Sequence, residues 1–299
     1  MSHWTVREFF DGANDMRAAV NQHFAKPYEN ADAKEVWSFW YVPELYTYLR
    51  TVSTSVLPEV LVARFVDGLR GWCRENLGIG GITHPTLSVY FDGCGQALHN
   101  DARNGRFGYV YSLTPWDTRT FTGGETVILR DEEYWNTERV LESGALREFC
   151  HVVPAHFNQL LVFDDRLVHG VRDVHGQMNP LQGRIVLHGH VYNDGLHVAG
   201  ALSREQVDSS WNERLPELEA RLDDFDGVYD GLVSLRIAVD GEGRVRDTRV
   251  LVDRLLPTSR SAPSPRAVAE AIVSWAATLR FPESTGDSVL YAPFALESA

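Results

Sequence analysis

The chain has 299 residues, of which 44% are hydrophobic, enough for one domain of about 200 residues and a smaller second one. Its formal net charge of −13 argues against a surface built to bind the phosphates of nucleic acid or anionic lipid. Three widely spaced cysteines, no basic and apolar leader and no run of about 18 apolar residues predict a cytoplasmic chain without a membrane partner.

The first elements in the chain are an aromatic run and a helix. Residues 36–49, "VWSFWYVPELYTYL", are interpreted as core packing, with contact to a substrate at the mouth of a barrel as the alternative. Residues 58–76 begin with Pro58 and carry Leu61, Phe65, Leu69 and Trp72 at helical spacing. They predict an amphipathic helix.

From residue 86 the pattern changes to short apolar or alternating runs separated by Gly, Asp, Asn and Pro. The runs are "TLSVYF", "GYVYSLT", "ETVIL", "QLLVF" and "RIVLHGHVY". This pattern is typical of an antiparallel barrel or jelly roll and not of alternating βαβ units. We therefore expect a mainly β catalytic domain with flanking helices.

The remainder of the chain predicts a connector and a small α+β unit. Residues 204–222 are helical in pattern, and Pro216 is expected to break them into two pieces. Strands "LVSLRIAVD" and "VRDTRVLV", a Ser/Pro-rich loop, a helix that starts at Ser264 and Pro265, and strand "SVLYAPFAL" follow.

His99 and Asp101, in "ALHNDARN", are separated by one residue. On an extended segment both side chains point to the same side, so they can converge on one ion. A distal histidine would complete the two-histidine, one-carboxylate set with which non-haem Fe(II) oxygenases leave adjacent coordination positions open. His169, which follows the apolar strand "QLLVFDD", is the candidate.

Arg184 lies fifteen residues later, at the start of "RIVLHGHVY". An arginine that points into a barrel is costly unless it is paired, and its planar guanidinium matches a carboxylate. A dicarboxylate such as 2-oxoglutarate would satisfy it.

This order of residues resembles the Fe(II)/2-oxoglutarate-dependent dioxygenases, and in particular their prolyl-hydroxylase-like branch, over roughly residues 85–193. The segments that carry the resemblance are "VYFDGCGQALHND", "YVYSLTPWDTRTFTGGETVIL" and "FNQLLVFDDRLVHGV". It implies that iron is bound by His99, Asp101 and His169, and that Arg184 binds the far carboxylate of 2-oxoglutarate. It further implies cosubstrate contacts from Tyr90 and from Ser112 or a neighbour. The resemblance also implies O2 as the oxidant and ascorbate as a reductant.

Four further residues are candidates for substrate contact. His188 and His190 alternate with Arg184 and would share its strand face, with a structural role as the alternative. Trp116, in "TPWD", is either a packing wedge or a substrate contact, and Arg103 is either an entrance charge or a solvated loop residue.

Residues 229–299 are similar to the C-terminal domain of TonB-type proteins. The similarity is one of fold, and it implies either the docking of a protein partner or structural support. The expected organisation is an oxygenase domain over 1–200, with its jelly-roll core at about 85–193, a helical connector over 201–228 and the small domain over 229–299.

The predicted function is an Fe(II)- and 2-oxoglutarate-dependent hydroxylase of a peptidyl or amino-acid side chain that releases succinate and CO2. Related halogenases replace the carboxylate ligand with a small residue, so Asp101 favours hydroxylation. The alternatives are an oxygenase of a small natural-product intermediate, a non-catalytic jelly-roll binding protein, and a cupin-like isomerase or hydrolase. Arg184 discriminates against the last class, because it requires a carboxylate partner.

Overall fold

The computed structural model describes residues 2–25, 36–136, 146–225, 228–259 and 264–296. The Ser/Pro-rich loop expected before the last helix lies partly outside them. The chain divides into two compact units, Met1–Leu69 with Ile82–Tyr192 and Arg70–Gly81 with Asn193–Ala299. No helix in the described ranges is long and apolar enough to cross a membrane.

The first unit is mainly β, as predicted. It contains helix α1, Ala13–Ala25, and helix α2, Glu59–Leu77, whose residues from Arg70 onward are grouped with the second unit. The strands before the predicted β-rich region are β1 His3–Val6, β2 Ser38–Val42, β3 Tyr46–Val52 and β4 Gly81–Ile82. They are followed by β5 Thr86–Tyr90, β6 Gly95–His99, β7 Phe107–Ser112, β8 Thr126–Leu129, β9 Cys150–Val153, β10 Gln159–Asp164, β11 His169–Val171 and β12 Arg184–Tyr192.

Strands β5 to β12 form a jelly roll from two antiparallel groups of four strands. Their orders are β10-β7-β12-β5 and β6-β11-β8-β9, and β3 joins the groups by pairing with both β5 and β6. Successive strands mostly alternate between the groups, which is the connectivity of a jelly roll. This topology brings β6, β11 and β12 to one cavity, although they are far apart in sequence.

The helix predicted over 58–76 is confirmed as α2. Leu61, Phe65 and Leu69 are buried, and the Phe65 ring packs against Tyr111 of β7 with their centroids 4.7 Å apart. The apolar stripe read from the sequence therefore covers one face of the sheet.

The second unit is an α+β fold, also as predicted. A four-stranded antiparallel sheet has the order β13-β16-β14-β15, where β13 is His197–Gly200, β14 Tyr229–Val239, β15 Val245–Pro257 and β16 Ser288–Leu296. Helices α3, Arg204–Leu222, and α4, Arg266–Ala276, share its core, in which the Trp211 and Trp275 rings meet edge to face.

Two details of this unit differ from the expectations. Strand β13 pairs with β16, so the division falls after Tyr192 instead of at residue 200. Helix α3 is continuous through Pro216, although the sequence predicts a break there. A capping box between Ser203 and Gln206 stabilises its first turn and buried Val207 and Leu218 anchor both halves, so packing outweighs the hydrogen bond lost at Pro216.

Candidate metal centre and cavity

The two histidines of the predicted metal site face each other across a pair of strands. His99 ends β6 and His169 begins β11, and the two are register partners with their ring centroids 4.6 Å apart. A turn with Gly93 at a φ of 78° leads into β6, a backbone conformation that favours glycine. The sheet register therefore brings together two imidazoles that are seventy residues apart in the chain.

Asp101 completes the group. Its Oδ2 lies 3.6 Å from Nε2 of His99 and 3.6 Å from Nε2 of His169. The backbone N–H of Asp101 donates to the carbonyl of Asp165 at 3.0 Å, which fixes the loop after β6 against the end of β10. The three side chains offer ligand atoms that all lie within 4.8 Å of one another, as a shared metal ion requires.

Backbone carbonyls set the orientation of both imidazoles. Nδ1 of His99 lies 2.7 Å from the carbonyl of Ala97, and Nδ1 of His169 lies 2.9 Å from that of Leu167. A neutral ring that donates Nδ1–H to a carbonyl keeps the Nε2 lone pair free for a metal. Both rings therefore present Nε2 toward the Asp101 carboxylate.

The electrostatics of the group favour a charged Asp101. Burial alone would raise the pKa of the Asp101 carboxyl, but hydrogen bonding and charge from His169 and His99 lower it well below its usual range. Burial opposes protonation of His99, yet Asp101 and the Ala97 carbonyl outweigh it and raise the pKa of this ring. A cation between these groups would be stabilised by the same carboxylate.

Arg184 lies at the buried end of the cavity, and only 1% of its surface is exposed. Its Nη2 donates to Oγ1 of Thr126 at 3.1 Å, and its guanidinium carbon lies 4.8 Å from the centre of the Tyr90 ring. Nε and Nη1 have no hydrogen-bond partner among the described residues. Burial lowers the pKa of this guanidinium, while the Tyr90 hydroxyl and Glu125 oppose the shift. A buried cation with unused donors is suited to an anionic ligand.

The cavity is lined by both groups of strands and has a volume of about 240 Å³. His188 and His190 line it together with Arg184, as their alternation on β12 predicts. Burial, with His190 and Arg184 nearby, lowers the pKa of His188 to about 3, so this ring is neutral. Its Nε2 lies 2.9 Å from Oγ of Ser88.

A second polar pair was not identified from the sequence. Nδ1 of His190 lies 2.8 Å from Oδ2 of the fully buried Asp165, whose Oδ1 has no hydrogen-bond partner in the ranges that the structure describes. With Asp101 the two form a second group of ligand atoms within 4.8 Å of one another. The sequence feature that could have indicated this pair is the second aspartate of "FDDRLVHG", which directly follows β10.

The aromatic run at 36–49 contributes more than packing. Tyr46, Tyr48 and Arg50 alternate along β3 and line the cavity, and so does Trp40 of β2, which is the register partner of Tyr48. The Tyr46 ring meets His99 edge to face, with the centroids 5.0 Å apart. The period of two in "YTYLR" is the signal that could have assigned these residues to one face.

Three predicted site residues do not line this cavity. Ser112 is buried on β7, where its Oγ donates to the carbonyl of Ala155 at 2.7 Å and accepts from Thr114 N–H; Tyr109 and Val110 of the same strand line the cavity instead. Trp116 is a packing residue, because its ring is buried against Phe121. Arg103 is exposed in the turn after Asp101.

No protein-family model and no curated protein matches the chain. Among solved structures, it is similar to a prolyl hydroxylase of Trichoplax adhaerens in complex with a peptide of the hypoxia-inducible factor oxygen degradation domain. The identity is 18%, the TM-score 0.46, and the match covers 64% of this chain and 84% of that one.

Two further solved structures illustrate the range of the matches. For a prolyl-4-hydroxylase of Pseudomonas putida the identity is 16% and the TM-score 0.43, over 65% of this chain and 94% of that one. For SnoN, a non-haem α-ketoglutarate-dependent epimerase of nogalamycin biosynthesis, the identity is 11% and the TM-score 0.44. This match covers 65% of this chain and 77% of that one.

Proposed function

We propose that the chain is an Fe(II)- and 2-oxoglutarate-dependent oxygenase. The observation that carries the proposal is the convergence of His99, Asp101 and His169 at a cavity whose buried end holds Arg184. Two nitrogens of this arginine have no partner within the described ranges. Three protein ligands leave coordination positions open for other molecules, and the guanidinium provides a partner for a carboxylate.

The donor set fits Fe(II). Two imidazoles and one carboxylate in a facial arrangement are the ligands of non-haem Fe(II) oxygenases. His99 and His169 would bind through Nε2, and the backbone carbonyls of Ala97 and Leu167 would hold the two rings in place. Asp101 would supply one negative charge, and its presence as a carboxylate favours hydroxylation over halogenation.

The buried end of the cavity fits 2-oxoglutarate. Arg184 would bind the carboxylate that lies far from the metal, and the Tyr90 ring and Thr126 would position the guanidinium. When bound, iron and 2-oxoglutarate supply the chemistry in which dioxygen converts 2-oxoglutarate to succinate and CO2 and oxidises a C–H bond of the substrate. The chain's own part is to exclude bulk water and orient the reactants.

The first substrate class proposed is a peptidyl or amino-acid side chain, and the alternative is a small-molecule intermediate. The volume of about 240 Å³, part of which 2-oxoglutarate would occupy, favours a small group at the metal. A non-catalytic binding protein is the less favoured reading, because a scaffold has no need of the charged groups at this cavity. Partner docking by the second unit, and its TonB-like assignment, stay predictions.

Anaerobic spectroscopy tests the proposal. Addition of Fe(II) and 2-oxoglutarate to the native chain should produce a visible metal-to-ligand charge-transfer band. Asp101→Asn and His169→Gln should abolish the band. Arg184→Gln should require a much higher 2-oxoglutarate concentration to produce it. The surface variant Arg64→Gln should produce the same band as the native chain. Absence of the band from the native chain would refute the proposal.

A further inference from the structure

The cavity contains a second guanidinium, that of Arg50, to which the proposed chemistry assigns no role. Arg50 lies on β3, and its backbone pairs with Ser88 of β5. Arg184 lies on β12, on the other side of β5, where it pairs with Tyr90. Because neighbouring strands are spaced by about 4.8 Å and the two pairing partners lie about 6.7 Å apart along β5, the two arginine backbones are roughly 12 Å apart. Both arginine side chains line the same cavity.

Within the part of the chain that the structure describes, the immediate surroundings of Arg50 contain no counterion for its charge. Its guanidinium carbon lies 3.2 Å from the centre of the Trp40 ring, so the planar group is stacked on an aromatic surface. Burial raises the pKa of the Tyr48 hydroxyl, and the neighbouring guanidinium of Arg50 opposes that rise. Among the described residues, no carboxylate forms an ion pair with Arg50.

The groups that would bind iron and 2-oxoglutarate do not involve Arg50. Divalent iron and Arg184 would be balanced by Asp101 and the two carboxylates of 2-oxoglutarate. Asp165 lies against His190, with its Oδ2 2.8 Å from Nδ1 of that ring. Arg50 therefore has no ionic partner among the described residues, and an anionic group of the substrate would provide one.

We propose that Arg50 binds a carboxylate of the substrate, so that the substrate of this oxygenase is a small carboxylic acid. The inference rests on the proposed function and narrows its substrate class. A planar guanidinium that is stacked on an indole keeps its N–H donors in its own plane, and a pair of them at one edge matches the two oxygens of a carboxylate.

The strand between Arg50 and the metal indicates the shape of this acid. Tyr46, whose ring contacts His99, and Arg50 are four residues apart on β3, or about 13 Å at their Cα atoms. Tyr48 and Trp40 line the interval. The acid therefore has an apolar body that packs on these rings, and the carbon oxidised at the metal lies several bonds from the carboxylate.

The test uses the full chain with anaerobic Fe(II) and saturating 2-oxoglutarate. The probes are the free amino acids, butyrate, hexanoate, octanoate and phenylbutyrate, each paired with its carboxamide. Binding is followed by the shift of the charge-transfer band, and turnover by succinate release after O2 is admitted. We expect at least one acid to give both responses and its carboxamide to bind about tenfold or more weakly.

The variants separate this inference from the proposed function. Arg50→Gln should keep the 2-oxoglutarate band, which shows that it is folded and loaded, but should bind the responding acid about tenfold or more weakly. Arg50→Lys should bind it with intermediate affinity, and the surface variant Arg64→Gln should match the native chain.

Three outcomes would overturn the Arg50 assignment while the native band is present. The first is that no acid at millimolar concentration shifts the band or releases succinate. The second is that an acid and its carboxamide give equal responses. The third is that Arg50→Gln binds the acid with the affinity of the native chain. A native chain without the band would instead refute the proposed function, and the inference with it.

Discussion

Replacement of Arg184 by methionine should have opposite effects on stability and on cosubstrate binding. Nε and Nη1 of Arg184 are buried and have no hydrogen-bond partner in the described part of the chain, and each such donor costs about 1–3 kcal/mol. Methionine removes that cost but loses the hydrogen bond to Thr126 and the contact with the Tyr90 ring, together worth about 2–3 kcal/mol. The free energy of unfolding should therefore rise by roughly 1 kcal/mol.

Binding of 2-oxoglutarate should change in the other direction. Truncation of one partner of a buried charge pair costs about 2–5 kcal/mol, which weakens the dissociation constant by about 30- to 5,000-fold. Calorimetric unfolding without ligands measures the first effect, and isothermal titration with Mn(II) and 2-oxoglutarate measures the second. Arg64→Met, which removes a surface charge, is the matched control and should leave binding unchanged.

Two results would refute this reasoning. If Arg184→Met bound 2-oxoglutarate as tightly as the native chain, Arg184 would not be the carboxylate partner. If the variant without ligands were less stable by more than about 2 kcal/mol, the guanidinium would serve the fold and not a ligand.

Three further predictions concern single residues. Asp101→Asn should weaken Mn(II) binding more than tenfold in equilibrium dialysis, because the site loses its anionic ligand; native affinity would contradict this. The pKa of His188 is about 3 in the folded chain and near 6.5 in the unfolded chain, so between these pH values only the unfolded chain takes up the proton. His188 therefore leaves the free energy of unfolding unchanged above about pH 6.5 and lowers it as the pH falls toward 3. His188→Gln should make the fall in unfolding free energy between about pH 7.5 and pH 5 smaller by about 2 kcal/mol in urea titrations, and an unchanged fall would refute the assignment. Pro216→Ala should raise the melting temperature of the second unit, because it restores a helix hydrogen bond worth about 1–3 kcal/mol, and a lower melting temperature would contradict this.

Part of the candidate metal site could be predicted from the sequence because the signal for it is local. His99 and Asp101 lie on one strand end, and the alternation of β12 places Arg184, His188 and His190 on one face. That His169 lies opposite His99 depends on which strands pair in the sheet. The run of short strands indicated a jelly roll but not the pairing of its strands.

The residues that sequence analysis missed depend on pairing between distant strands. Tyr48 lies in an aromatic run that has the composition of a core, and Arg50 follows directly after that run. Only the pairing of β3 with β5 and β6 turns their face toward the cavity. Asp165 is identified as a site residue only by its contact with His190. Ser112 was assigned from the resemblance of its strand, whereas the register places its hydroxyl against Ala155.

A crystal structure with Mn(II) and 2-oxoglutarate, soaked without oxygen, tests the central claim most directly. We predict one anomalous peak bound by Nε2 of His99, a carboxylate oxygen of Asp101 and Nε2 of His169, with the far carboxylate of 2-oxoglutarate on Arg184. A metal bound instead by Asp165 and His190, or a 2-oxoglutarate carboxylate on Arg50 with Arg184 still unpartnered, would contradict it.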